Sequence, residues 1–417
     1  MSVTSVPYWL RGAQAFQAGV GAPRLPSPPA SAIAAGAGAE LVSLAAAMRH
    51  RAAWEDLCAR ALEPSAFLEP AFVLAAALHI AVSKRPKFLL VWDTPDEGAA
   101  RRLIGLCPIH LPMFASAGAA TVWLSKQCSA GSPLLDKEMA FDALQAMVEL
   151  LGASRVASPA LMFSKVPQAG KTAALIRALA AAAGHRLELS DAHERASLTG
   201  GPAAQAAFAA SVSPKKLKEL GRQRRRLEDG GAVTFVSAVA AQDVLRAIED
   251  FLSLEAKGWK GKCGTAFLSS PGQTAFLRAL TRDLASQGKC RVDMLLRAGK
   301  PVAMGIVLRS GDSGAFWKTA FDEDFAACSP GVQLCLEITR RQIADADYRA
   351  TDSCAIANHP MIDHIWPQRI AVADMLLAIQ RGKSLHYTAA LLRAQAARAL
   401  IARLRGLFCR LTGRKIS

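Results

Sequence analysis

The order of apolar segments in this chain occurs twice, and a chain whose two halves follow one plan has few folds open to it. In the first half three short β-like runs, Lys87 to Trp92, Arg102 to Leu111 and Thr121 to Leu124, precede Ser132-Pro133 and a helical stretch from Lys137 to Leu151. A strand near Ala160 to Ser164, a helix from Thr172 to Ala183 and a short run from Arg186 to Leu189 complete it. In the second half, helices over Gln242 to Glu255 and Gln273 to Ser286 lead into runs at Cys290 to Leu296, Val302 to Leu308 and Ala315 to Ala320. Lys300-Pro301 turns the first pair of these runs, and Gly311-Asp312-Ser313-Gly314 turns the second. Ser329-Pro330-Gly331 then opens a helix from Val332 to Ile343, followed by a strand around Tyr348 to Cys354 and a final helix beyond Pro360.

Each half therefore reads as an antiparallel meander, a Ser-Pro helix start and further strands. The expected fold class is α/β, of the α+β kind: two tandem domains, each a mixed, largely antiparallel sheet flanked by helices. The expected organisation is a Pro/Gly/Ala-rich flexible leader over 1–45, an N-terminal half over 46–200 and a basic linker helix over 201–230. A C-terminal half over 231–382 and a basic amphipathic helix over 383–417 follow.

Composition narrows the function classes. Of 417 residues, 52% are hydrophobic, enough for packed cores, and 50 Lys+Arg against 34 Asp+Glu give a net charge of +16. Such a charge suits a nucleic acid, an anionic lipid surface or a polyanionic cofactor. The nine cysteines include no Cys-x-x-Cys pair, which points to a reducing compartment and away from structural zinc. His359 and His364 are five residues apart and do not share a helix face, so no metal is expected. The apolar run from Ala71 to Val82 is interrupted by His79 and falls short of the roughly 18 residues of a membrane span. No apolar segment follows a basic start at the N-terminus, so the reading is cytoplasmic.

The stretch Leu295-Leu296-Arg297-Ala298-Gly299-Lys300-Pro301-Val302-Ala303, with Phe316-Trp317-Lys318-Thr319-Ala320-Phe321-Asp322, Ser329-Pro330-Gly331 and Asp352, resembles the CelD-type acetyltransferases. These are GNAT-superfamily proteins associated with cellulose or exopolysaccharide biosynthesis, also described as a BioF-like acetyltransferase domain and distantly similar to the Fem transferases. The resemblance runs from about Ser213 to Trp366, with a weaker echo at Trp54 to Phe72 and Ser132 to Asp136. It implies two GNAT-like halves, with acyl-CoA, acetyl-CoA first among them, held at Cys328, Ser329, Pro330, Gly331 and Val332. The Gln/Arg-x-x-Gly-x-Gly loop of ordinary GNAT enzymes is absent. The segment Asn358 to His364 also departs from the lysine- and tyrosine-containing stretch expected there.

Independently of any family, a helix start offers unpaired N–H groups and the positive end of the helix dipole to an anion, although Ser329 would serve equally as a plain N-cap. Acyl transfer to an amine also needs a proton acceptor and stabilisation of an oxyanion. Glu255, in a glycine-bearing break between two helices, Asp352, at the end of an internal strand, and His359 are the candidate catalytic residues. Trp259, Lys260, Lys318, Asp322, Arg222 and Arg225 are the candidate substrate contacts, with Lys318 expected to face solvent. Arg222 and Arg225 belong to a basic amphipathic helix within Lys215 to Arg226 that lacks interleaved aromatics, which disfavours nucleic acid. Cys328 reads first as a small packing residue. Gly170-Lys171-Thr172 looks like a phosphate loop, but Lys165 stands where that motif needs glycine.

The tail aligns Leu392, Ala396, Leu400, Leu404, Leu407 and Leu411 beside arginines, a stripe that would dock on the preceding domain or lie on an anionic membrane surface, peripheral at its inner face. The expected activity is transfer of an acyl group to an amine or hydroxyl on a small-molecule or glycan-linked acceptor. Two alternatives stand beside it: a non-catalytic GNAT-fold scaffold or regulator of anionic partners, and a Fem-like aminoacyl-tRNA-dependent transferase.

Overall fold

The computed structural model describes residues 37–94, 100–112, 118–153, 158–211, 213–380, 385–393, 395–396, 400 and 403. The first half contains β1 (Ala37–Val42), α1 (Leu44–Arg49), α2 (Arg51–Ala59), α3 (Pro70–His79), β2 (Lys87–Asp93), β3 (Leu103–His110) and β4 (Ala120–Val122). It continues with β5 (Leu134–Leu135), α4 (Ala140–Ala153), β6 (Ala160–Pro167), α5 (Lys171–Ala183) and β7 (Leu187–Thr199). After α6 (Pro202–Ser211) and α7 (Pro214–Glu228) come β8 (Val233–Ala238), α8 (Ala241–Lys257), α9 (Trp259–Lys262) and α10 (Pro271–Ser286). The chain then forms β9 (Cys290–Arg297), β10 (Lys300–Ser310), β11 (Ser313–Phe321), α11 (Pro330–Ala344), β12 (Ala350–Asp352) and β13 (Gln368–Ala378).

The described strands form one sheet in the order β1-β2-β3-β4-β6-β13-β7-β12-β11-β10-β9-β8, with β5 beside β3. Read from its two ends, this order is the same plan twice. Each half supplies antiparallel neighbours and one parallel step, β4 with β6 and β11 with β12. The last strands are exchanged: β7 of the first half pairs with β12, β13 of the second pairs with β6, and the two pair with each other at the centre. The mixed α/β class expected from the sequence is the observed one.

Glycines mark the repeat. A Cβ at Gly305 on β10 would come within 2.8 Å of Phe316 and 3.0 Å of Ile338, so α11 packs against bare backbone. Gly105 on β3 does the same under α4, where a Cβ would meet Met147 at 2.8 Å and Ala143 at 3.1 Å. One apolar core spans both halves, with Phe72 of α3 edge-on to Phe276 of α10 at 5.4 Å and to Trp317 of β11 at 5.7 Å. Separate cores lie under α4 and α5 and under α6, α7 and α11.

Three sequence expectations need correction. Residues 37–45 lie outside a leader: β1 pairs with β2 along its whole length, and Ser43 caps α1 by accepting from the Ala46 N–H. The segment beyond Pro360 makes turns and then β13, an 11-residue strand rather than a helix. Its run Met375 to Ala378 is buried at the sheet centre, where a continuous apolar stretch carries no alternation to separate strand from helix. Likewise, the short run at Arg186 to Leu189 is the start of the 13-residue β7.

The phosphate-loop lookalike has a structural explanation, since the Glu63 carboxylate accepts from the Lys171 and Thr172 N–H groups and so caps α5 itself. In the tail, residues 385–393 are helical; Tyr387 and Ala390 are buried, with the Tyr387 hydroxyl donating to the Leu376 carbonyl. Leu392 and Leu400 of the expected docking stripe are exposed, whereas Leu404, Leu407 and Leu411 lie outside the described residues. No described helix is long and apolar enough to cross a membrane.

Candidate functional site

The parallel pair β11 and β12 holds together only from Ser313 to Ala315 against Ala350 to Asp352. Beyond that point β11 runs on to Phe321 beside β10, while the other chain turns away through Cys354 with φ of 54°. The result is a fork in the sheet. A short 3-10 turn, Glu323–Cys328, leads from its β11 prong into Ser329 and the start of α11.

At that helix start Ser329 is left-handed, with φ of 50°, and its carbonyl accepts from both the Val332 and Gln333 N–H groups. The Ser329 N–H donates to the Ala326 carbonyl, and Pro330 has no N–H. Among the described residues the Gly331 amide alone of Ser329 to Val332 donates no hydrogen bond, and the residue is buried. A Cβ on Gly331 would stand 3.5 Å from Phe321 and 3.6 Å from the Met361 sulfur, ordinary contacts that leave room there. Of the five expected cofactor contacts, therefore, Gly331 offers a donor and Val332 does not. The Cys328 carbonyl accepts from the Gln333 side chain at 2.7 Å.

Lys318 lies on the fork's β11 prong. A β-bulge shifts the register between Ile306/Val307 and β11, so Lys318 opposes Ile306 while Phe316 opposes Val307, and Trp317 is the extra residue. Strict alternation would send Trp317 and Lys318 to opposite faces, whereas here both turn toward the core shared by the halves. Lys318 is accordingly half-buried rather than solvent-facing, its Nζ 5.1 Å from the Trp317 ring and 5.6 Å from that of Phe267. Burial, then the ammonium of Lys260, lowers its pKa to about 8, against the pull of Glu255.

Glu255 is buried at the end of α8. One of its oxygens pairs with Lys260 Nζ at 2.8 Å and the other accepts from the Phe267 N–H at 2.8 Å. Lys260 also reaches the Thr319 carbonyl at 3.4 Å, tying α9 to β11. A small cavity of about 40 Å³ opens beside Glu255, Trp259, Lys260 and Thr319. Trp259 is exposed, and its N–H donates to Glu323.

Asp352 is held in a clamp. Arg195 of β7 grips it in a bidentate ion pair at 2.8 and 2.5 Å and donates its remaining arm to the Ser129 carbonyl at 2.9 Å, while the Cys354 N–H also donates to Asp352. Such a carboxylate locks β7, β12 and the 125–131 loop together and is not a free base. His359 does not join it: the charge acting on the imidazole is Asp363, and burial lowers the His359 pKa below its ordinary value. Asp322 caps the 3-10 turn and pairs with Lys257 at 2.9 Å. Arg222 and Arg225, with Lys215, Lys218 and Glu219, share one open face of α7, which packs on the 3-10 turn leading to Ser329.

The first half contributes residues that spacing could not reveal. The Gln127 carbonyl accepts from the Trp317 indole N–H at 2.8 Å, and the Ser129 hydroxyl lies 3.5 Å from the Cys354 sulfur. Cys128, pushed up to about 12 by burial, and Cys354, also raised by burial, both sit in the field of Lys318.

The fork, the α11 start and α7 all fall within residues 214–359, which match the Acetyltransferase (GNAT) domain family. That segment of the second half is similar to a GNAT-type acetyltransferase domain. A search of curated proteins returns no significant match. Among solved structures, it is similar to the C-terminal domain of a protein assigned as a lysylphosphatidylglycerol synthetase from Agrobacterium fabrum, with 15% identity over 85% of this chain and 97% of that one and a TM-score of 0.48. FemX aligns at 7% identity over 78% and 95% of the two chains, TM-score 0.48. A tandem GNAT protein from the clavulanic acid biosynthesis pathway aligns at 14% identity over 82% and 99%, TM-score 0.39.

Proposed function

We propose that the protein transfers an acyl group from acyl-CoA to an amine or hydroxyl acceptor at the fork of β11 and β12. The observation that carries this reading is the free Gly331 amide at the N-terminus of a 15-residue helix whose N-cap residue, Ser329, makes no side-chain cap, beside the fork and within the GNAT-matching segment. Bound there, acyl-CoA would supply an activated thioester. The chain's own part is to hold one anionic oxygen at the Gly331 N–H and α11 dipole, with the cations of α7 in reserve for further phosphates. The 125–131 loop of the first half closes the fork from the side of the shared core. As part of the same proposal, the acceptor is a precursor of cellulose, exopolysaccharide or other envelope glycans, a reading supported by the resemblance to CelD-type proteins.

The test is thermal stability with and without acetyl-, succinyl- and long-chain acyl-CoA. A ligand at 100 times its Kd adds about 2.7 kcal/mol to the bound fold. A shift with one acyl-CoA that disappears in Gly331→Trp is the expected result. Cooperative melting with no shift from any acyl-CoA would sink the transferase and leave the scaffold or the aminoacyl-tRNA-dependent reading.

A further inference from the structure

Among the described residues Lys318 makes no ion pair, and the one carboxylate acting on it, Glu255, is paired elsewhere. Lys260 from α9 is matched by Glu255 from α8, and both Glu255 oxygens are already engaged. Among the described residues no carboxylate lies within 4.0 Å of Lys318 Nζ. The other groups facing it are the Phe267 and Trp317 rings and two thiols, Cys128 from the loop after β4 and Cys354 from the turn after β12. Burial raises both thiols, so neither is an anion near neutral pH. Aromatic faces attract a cation more weakly than an anion does. A half-buried positive charge held this way has room in its electrostatics for a ligand that brings negative charge.

Resting on the acyl-transfer reading, we propose that Lys318 anchors an oxyanion, a carboxylate or a phosphate, carried by the acceptor. The bulge at Trp317 is what makes this work: it turns the amine inward, three positions beyond Ala315, the last residue of β11 paired with β12, where an acceptor entering the fork would meet it. The acceptor class is thereby an acidic molecule presenting its nucleophile beside a carboxylate or phosphate.

The experiment measures binding of acetate and of inorganic phosphate to the full chain, at constant ionic strength, at about pH 7 and about pH 9. Wild type, Lys318→Met and Lys318→Arg are compared. With Lys318 titrating near 8, roughly a tenth of it stays charged at the higher pH, so affinity in the wild type falls roughly tenfold. Lys318→Arg keeps its charge and binds equally at both values; Lys318→Met loses binding. Equal wild-type affinity at both values, or unchanged binding in Lys318→Met, overturns the proposal. Acetate binding without phosphate binding assigns a carboxylate, and the converse assigns a phosphate; either supports the anchor. Acyl-CoA binding is followed on the same proteins. If the small anion and acyl-CoA compete, the oxyanion belongs to the donor and the assignment to the acceptor falls. If acyl-CoA fails to bind while the anion binds with this pH dependence, the transfer reading fails and the anchor stands.

Discussion

Replacing Asp352 by asparagine separates a structural clamp from a catalytic base. Arg195 is almost wholly enclosed, its side chain 3% exposed against 19% for Asp352, and the pair joins β7 to β12 across the exchanged strands. Removing one partner of such a pair leaves a charge buried without compensation, at a cost of about 3–5 kcal/mol. Because Asp352 keeps some exposure, the lower figure applies, and for a chain of this length about 3 kcal/mol lowers Tm by roughly 3–4 °C. Asp352→Asn should therefore melt early by circular dichroism, Arg195→Gln should do the same, and the double variant should fall well short of the sum, since the two changes remove one interaction. An unchanged Tm in Asp352→Asn with acyl transfer abolished would refute the clamp and restore Asp352 as a base.

Three further outcomes follow from named contacts. Gly305→Ala should cost about 1–3 kcal/mol in denaturant unfolding, because its methyl meets Phe316 and Ile338 under α11. Gly331→Ala, whose methyl makes only ordinary contacts, should leave stability unchanged. Because burial holds the folded pKa of His359 below its unfolded value of about 6.5, the group's contribution to stability is fully present above that pH and is lost as pH falls through the folded value; His359→Gln should flatten this acid-side slope in a series of melts.

Much of the fold was legible because meander strands and amphipathic helices carry period and turn chemistry in the chain itself. Cys290 to Leu296, Val302 to Leu308 and Ala315 to Ala320 fall inside β9, β10 and β11, and Val332 to Ile343 lies inside α11. What the residues did not disclose was long-range. β13 is apolar and central, paired on both sides by strands about 170–220 positions away, and nothing local distinguishes it from a helix. The site shows the same division. Glu255 and Lys260 are five apart and their pairing follows from the helix break between them, but Arg195 reaches Asp352 across 157 positions. Lys318 was misplaced because a single bulge overturns alternation, and the pairing that creates the bulge lies on another strand.

The central claim is that the acyl donor sits at the fork of the second half. Hydrogen exchange with and without acetyl-CoA tests it most directly. The account predicts slowed exchange at the Gly331 amide and along Phe316 to Phe321, with the corresponding first-half segment around β4 and the start of α4 unaffected. Protection centred on that first-half segment, or binding that leaves Gly331 exchange unchanged, would contradict it.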